Sequence, residues 1–381
     1  MFTFNFNEVI DRTHSDSEKW HKYANQDVIP LWVADVDFKS PPAVIEALQT
    51  RVAQGVFGYG YTPPELIEVI VERMHKLYDW KIQPDWLVFL PGLVCGLNLS
   101  VRAFTKEGDQ VITPNPVYGP FQRAVRQQQR QLVKAPQILQ DTRWVIDLQA
   151  CEPAVEASAS MMILCNPHNP GGTVYTREEL TTQLAFAQQH NLVICSDEIH
   201  CDLILDKKAR HIPIASLSPD AEQRTITLMA PSKTFNIAGL GASFAIIPNA
   251  QLRKAFCQER LGFVPSVDIL AYVAATAAYR DGQAWLEAQL DYLRGNYQLV
   301  LEKVNQMKGL QLQPFAATYL AWIDASALPV ANPQAFFEQA GVGLSAGSEF
   351  GDRQFLRLNF GCSRRLLETA LERMQKAIEQ L

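Results

Sequence analysis

Long apolar runs are missing from this 381-residue chain, and none approaches the ~18 residues that a membrane span needs. The first eight residues, Met1 to Glu8, have neither a basic start nor an apolar stretch, so a secretory signal is not expected and the cytoplasm is. Paired cysteines are also lacking. Cys95, Cys151, Cys165, Cys195, Cys201, Cys257 and Cys362 form an odd, scattered set with no C-x-x-C spacing. That excludes a disulfide framework and a zinc site, and it fits a reducing compartment. The histidines show no metal-ligand spacing, so no metal is expected. Positive charge is in deficit: 34 Lys and Arg against 40 Asp and Glu leave a net charge of −6. A nucleic-acid or membrane-surface partner is therefore not expected. Neither an internal repeat nor a low-complexity linker is visible.

What is present is an ordinary globular balance, 48% apolar and 19% charged, in a chain long enough for two domains. From Trp86 onward short apolar runs alternate with amphipathic stretches. Trp86–Leu90, Gln110–Thr113, Gln131–Lys134, Met161–Cys165, Leu192–Ser196, Thr225–Met229 and Ser243–Ile247 read as strands. Leu93–Phe104 and Arg177–His190 are the clearest helices between them. The alternation predicts an α/β fold: a large domain (48–282) with a mostly parallel sheet flanked by helices. Past residue 250 helical spacing dominates, with a long helix over Gly282–Met307, short strands at Leu310–Gln313, Tyr319–Asp324 and Phe355–Phe360, and helices at Pro333–Ala340 and Leu366–Leu381. Residues 283–381, joined by 1–47, are expected to form a smaller α+β domain.

In such sheets ligands collect where strands end, and the chemically notable residues follow strands. Gly92-Leu-Val-Cys-Gly96 opens a helix with free N–H groups, a seat for an anion. Tyr118 lies on the constrained loop Pro114–Pro120. Asn169 lies in Asn166-Pro-His-Asn-Pro-Gly-Gly172, which also reads as a plain turn. Asp197 ends an apolar strand, where an acid is costly unless a cation or donors meet it. Lys233 follows Thr225–Met229; alone, Ser232-Lys-Thr234 reads as an exposed loop, yet its flanks bury rather than solvate. Burial favours the neutral amine, the form that attacks a carbonyl to make a Schiff base. Asp35 and Asp37 share one face of an extended chain and read either as an acid or metal pair or, preferably, as a turn-forming, N-capping pair. The Gly/Tyr/Pro stretch 55–65 cannot be regular structure. A lysine, an acid and a phosphate-suited turn on one sheet edge are the set that pyridoxal phosphate needs.

Five segments carry a closer likeness: Leu31-Trp-Val-Ala-Asp-Val-Asp-Phe38, Asn166-Pro-His-Asn-Pro170, Ser196-Asp-Glu-Ile-His200, Ser232-Lys-Thr-Phe-Asn-Ile-Ala-Gly-Leu240 and Leu356-Arg-Leu-Asn-Phe-Gly361. Over nearly its whole length the sequence resembles pyridoxal-phosphate enzymes of the aminotransferase fold (fold type I, class I/II). Within them it resembles the MalY–PatB group of cystathionine β-lyase-like C–S lyases. The resemblance implies that Lys233 holds the cofactor covalently, Asp197 faces the pyridine nitrogen, Asn169 donates to the ring hydroxyl and Tyr118 covers the ring. His200 stands where many relatives carry a tyrosine. Backbone N–H groups of Val94 and Cys95, with the Ser232 hydroxyl, are expected at the phosphate. Tyr59, or less favourably Tyr61, is expected to reach the phosphate of a neighbouring subunit, which implies a homodimer. Arg357 and Ala34 are expected at a small amino-acid substrate, with Arg357 clamping its α-carboxylate.

Two departures stand out. Gly171 replaces a larger residue, which is expected to loosen its turn. Gly241 stands where many aminotransferases carry a phosphate-binding arginine, a difference the C–S lyases share. The implied function is a C–S β-lyase that converts cysteine S-conjugates to pyruvate, ammonia and a thiol. An aminotransferase of broad range is the runner-up, and a cofactor-binding regulatory protein comes third.

Overall fold

The computed structural model describes residues 4–381. In its main sheet, β2 (Leu87–Leu90), β3 (Gln110–Asn115), β4 (Gln131–Gln140), β5 (Arg143–Ile146), β6 (Ala159–Cys165), β7 (Val193–Asp197), β8 (Thr225–Met229) and β9 (Ser243–Ile246) stand in the order β2-β9-β8-β7-β6-β3-β4-β5. The central neighbours β8, β7, β6, β3 and β4 pair in parallel. The β9 strand is antiparallel to both β2 and β8, and β5 is antiparallel to β4. The sheet is thus parallel at its centre, as the unbroken apolar runs predict: every residue of β8 and β9 is buried. Separate apolar clusters cover its two faces.

The β4–β5 hairpin departs from the expectation, which ended β4 at Lys134 and placed no strand at Arg143–Ile146. Its turn residues, Asp141 (φ 47°) and Thr142 (φ 69°), are both left-handed without glycine. The usual sequence mark of a two-residue hairpin turn is therefore missing. The helix Arg177–Gln189 begins with a capping box: Thr176 Oγ1 accepts from Glu179 N–H and the Glu179 carboxylate accepts from Thr176 N–H.

A second sheet, β10 (Gln311–Leu312), β11 (Leu320–Asp324), β14 (Phe355–Asn359) and β13 (Ser345–Ala346), is antiparallel throughout. The helix Gln283–Gln306 and the closing helix Arg364–Glu379 share a buried core with it. The N-terminal part of the chain joins this unit: β1 (Ile29–Pro30) pairs in parallel with β12 (Val342–Gly343), and Asn359 N–H donates to Leu31 O.

The preferred turn-and-cap reading of Asp35 and Asp37 is corrected. The next helix, Pro42–Ala53, has no side-chain cap. Instead Asp37 accepts from Lys19 Nζ at 2.8 Å, Trp20 Nε1 at 3.0 Å and Arg12 at 3.2 Å, while Asp35 lies 3.5–3.6 Å from Arg12 and Lys19. Lys19 is fully buried, and a buried ammonium requires such partners. Among the described residues no helix is long and apolar enough to cross a membrane, and no acid, histidine or cysteine cluster could hold a metal.

Candidate active site

The parallel strands deliver the candidate residues to one edge. Asp197 is the last residue of β7, Lys233 follows β8, Asn169 follows β6, Tyr118 follows β3, and the helix Leu93–Phe104 follows β2. Alternation on β14 places Arg357 and Asn359 on one face, with Arg357 opposite Trp322 on β11 and Ser345 on β13. The second sheet thereby turns a buried guanidinium toward the residues that end the first.

Arg357 is 4% exposed and forms no ion pair among the described residues. Its guanidinium lies over the Phe350 ring at 4.5 Å and donates to Asn169 Oδ1 at 3.1 Å and to Trp32 O at 2.9 Å, while its Nε has no partner. Burial pushes its pKa down to about 10, only partly offset by Tyr118, Glu349 and Tyr319. The Lys233 amine donates to Ala34 O at 2.6 Å, and desolvation lowers its pKa to about 8. Asp197 is also buried; its Oδ1 accepts from Ile199 N–H at 3.1 Å, and desolvation raises its pKa to about 7. A carboxyl that uncomfortable is suited to an incoming cation.

The helix Leu93–Phe104 starts at Gly92 with no capping side chain, so the N–H groups at Val94 and Cys95 are presented at a bare positive end. Ser232 is buried beside Lys233. The Tyr118 N–H donates to Asn169 O at 3.1 Å, and its phenol lies close enough to Arg357 and Asp197 to feel both charges. His200 is buried with Nδ1 unpartnered, and desolvation lowers its pKa to about 3. Structure thus brings together Lys233, Asp197, Asn169, Tyr118, His200, Arg357 and Ala34. Tyr59 and Tyr61 instead stand exposed on the 55–63 stretch, and Tyr59 makes no hydrogen bond or ring contact among the described residues.

The expected loosening at Gly171 is also corrected. A side chain there would meet His168 Nδ1 at 2.8 Å and the Trp144 Cβ at 3.0 Å, so the turn is filled by neighbours. His168 pins it, its Nδ1 accepting from Gly171 N–H at 3.2 Å and its Nε2 lying 3.1 Å from Pro116 O. Gly241 has φ 67°, and a Cβ there would sit 2.6 Å from Pro91 O. Backbone packing therefore leaves no room for an arginine at this position.

Burial lowers the His168 pKa to about 4, and Nδ1 must stay unprotonated to accept its bond. The unfolded chain binds this proton near pH 6.5 and the folded chain does not, so stability is lost as pH falls from about 6.5 toward 4. Asp197, raised to about 7, works in the opposite direction across an overlapping window. The unaltered protein is expected to lose about 2 kcal/mol more between pH 7 and pH 5 than His168→Gln. Urea melts of both proteins at the two pH values check this. Equal losses would mean that the ring is not kept neutral.

Sequence reasoning missed Tyr319, whose hydroxyl shares Ala34 O with Lys233 at 3.0 Å, and Ser345, which donates to Trp32 O at 2.9 Å. It also missed Asp202, which accepts from Arg73 at 2.9 Å and from Thr234 Oγ1 at 3.2 Å and so braces the turn after Lys233. No local pattern marks these three, because each acts on a partner distant in sequence.

The chain matches the family described as aminotransferase class I and II over residues 26–374. The protein named cystathionine β-lyase PatB of Bacillus subtilis is 36% identical, across 98% of this chain and 100% of its own length. A solved structure described as OvoB is 56% identical, with a TM-score of 0.97 over 98% of this chain and 99% of that one. Cystalysin from Treponema denticola, whose structure contains pyridoxal 5'-phosphate, is 32% identical, with a TM-score of 0.95 over 100% of both chains. With these matches running the length of the protein and the site assembled as described, the chain belongs to the aminotransferase class I and II family.

Proposed function

We propose that this protein is a pyridoxal-phosphate-dependent C–S β-lyase that cleaves cystathionine or related cysteine S-conjugates. The balance is one S-conjugate and one water to one thiol, one pyruvate and one ammonia. The observation that carries this reading is Arg357, a buried guanidinium with no ion pair among the described residues, set beside a desolvated lysine amine and a buried acid. Those three groups suit an α-carboxylate, an aldehyde and a ring-nitrogen cation. The orphaned Nδ1 of His200 and the uncapped helix at Val94 and Cys95 fit the ring hydroxyl and the phosphate of the same cofactor.

When bound, pyridoxal phosphate supplies a conjugated ring into which the electrons of a bond broken at the substrate α-carbon are drawn. Lys233 anchors it, and the Ser232 hydroxyl with the Val94 and Cys95 N–H groups holds its phosphate. Asp197 would pair with the ring nitrogen, and its negative charge would favour the protonated form of that nitrogen. Asn169 and His200 would hold its ring hydroxyl, and Tyr118 would cover the ring. Arg357 binds the α-carboxylate through parallel N–H donors and, with the Ala34 backbone, orients the amino acid. Once the substrate amino group has displaced it, the freed Lys233 amine would take the proton from the substrate α-carbon and hold it at Nζ. The Cβ–S bond then breaks with its electron pair on sulfur, and the thiolate takes the proton held at Lys233 Nζ and leaves as the thiol.

The exposed Tyr59 reaches the phosphate of a second copy, so the working unit is a cytoplasmic homodimer with shared sites. Likeness to cystathionine β-lyases and the absence of the Gly241-position arginine favour elimination over transamination. Incubation with cystathionine and no keto-acid acceptor is expected to release pyruvate and free thiol in equal amounts. Turnover that starts only when an acceptor is added would assign the protein to the aminotransferases instead.

A further inference from the structure

The segment 32–35 is not a strand, yet each of its four carbonyls is held by a side chain from far along the sequence. Partners alternate along it. Trp32 O accepts from Arg357 Nη2 and Ser345 Oγ, both at 2.9 Å, and Ala34 O accepts from Lys233 Nζ at 2.6 Å and Tyr319 Oη at 3.0 Å. The intervening carbonyls, Val33 O and Asp35 O, both accept from the Nδ2 of one residue, Asn359, at 2.5 and 2.6 Å. One side of the segment thus carries the two candidate catalytic and substrate groups, and the other side is gripped at two points by one amide.

Asn359 has nothing to spare. It is fully buried, its Oδ1 accepts from Gly361 N–H at 2.8 Å, and its own N–H donates to Leu31 O at 2.9 Å. Both amide hydrogens go to carbonyls that flank Ala34, so its grip fixes the plane of the Ala34 peptide. That carbonyl in turn sets where the neutral Lys233 amine puts one N–H, and hence where its lone pair points. Asn359 also lies on the same face of β14 as Arg357, two residues away. Strand rigidity therefore ties the carboxylate clamp to the grip on the lysine's acceptor.

We propose that Asn359 is a positioning residue: by clasping the Val33 and Asp35 carbonyls it holds the Ala34 carbonyl, and through it the Lys233 amine, in register with Arg357. This rests on the lyase reading for its kinetic readout but not for its second one. Misplacing a reacting group by about an ångström costs up to roughly 100-fold in rate. Arg357 keeps its own contacts to Asn169, Ser345 and Trp32, so substrate binding is largely spared.

Two graded variants test it, Asn359→Ser, which can donate to one carbonyl, and Asn359→Ala, which can donate to neither. With cystathionine, kcat is expected to fall in the order wild type, Ser, Ala, by about 10-fold and then about 100-fold, with KM changed less than about threefold. The second readout is the rate at which cofactor-free protein takes up pyridoxal phosphate as a function of pH. This rate follows the neutral Lys233 amine, and a carbonyl fixed against that amine favours its ammonium form. The midpoint of the profile is therefore expected to move to lower pH by about one unit in Asn359→Ala. A folded Asn359→Ala with an unmoved uptake profile, or with KM and kcat altered alike, overturns the proposal. Loss of cooperative melting in both variants also overturns it, since Asn359 would then be a core residue only. If the unaltered protein releases no pyruvate, the lyase reading fails while the uptake profile still decides the role of Asn359.

Discussion

Lys233→Ala is expected to give a cooperatively folded protein without the visible absorption of bound cofactor and with activity down by ~10⁴-fold or more. The argument starts from the amine's surroundings. Desolvation brings its pKa down to about 8, and its neighbours of opposite sign, Asp35 and Asp197, only partly offset that burial. A usable fraction is therefore neutral near physiological pH, and only the neutral form attacks an aldehyde. The same property makes cofactor uptake by the unaltered protein rise roughly tenfold between pH 7 and pH 9. Alanine removes the anchor and the proton acceptor together, so two separate functions are lost. Folding survives because the flanking Ser232, Thr234 and Phe235 are the buried members of the turn. Absorbance, melting and pyruvate release on one preparation check the three statements. A retained visible band would mean that another lysine holds the cofactor.

Arg357→Ala is expected to reduce kcat/KM by ~10³-fold, mainly through KM, with the cofactor still bound. Hydrogen bonds to a charged group contribute about 1.5–3 kcal/mol each, and a carboxylate receives two from this guanidinium. The substrate carboxylate is the acid that hydrogen-bonds to this cation; its hydrogen-bond partners in the protein are the carbonyl of Trp32, the amide of Asn169 and the hydroxyl of Ser345. Removing a buried cation whose pKa burial already depresses relieves a desolvation cost, so melting should hold or improve. Arg357→Lys recovers little, because an ammonium cannot supply the planar fork. Saturation kinetics with cystathionine and a cofactor absorbance measurement separate the two effects. Equal loss of cofactor and substrate binding would remove Arg357 from the carboxylate.

Much of the site was legible because strands buried on both faces are written as unbroken apolar runs. β6, β7 and β8 were visible as Met161–Cys165, Leu192–Ser196 and Thr225–Met229, and the residues that follow them had to emerge at one edge. Asp197 was conspicuous as an acid closing such a run, and Lys233 as a lysine whose flanks bury. The β5 strand was not legible, since Asp141 and Thr142 make a left-handed turn without glycine. Asp35 and Asp37 were read as local turn formers because Arg12, Lys19 and Trp20, which hold them, lie 16–25 residues away. Asn359 stood in a recognised segment, but its two acceptors are 324 and 326 residues distant.

By itself the amino-acid sequence determined which groups are available and which sheet edge receives most of them, because hydrophobic periodicity and strand order are local properties of the chain. The tertiary structure alone decided that the carbonyls of residues 32–35 form a common rail for Lys233, Tyr319, Arg357 and Asn359. A backbone carbonyl has no letter of its own, so only folding reveals which donors it meets.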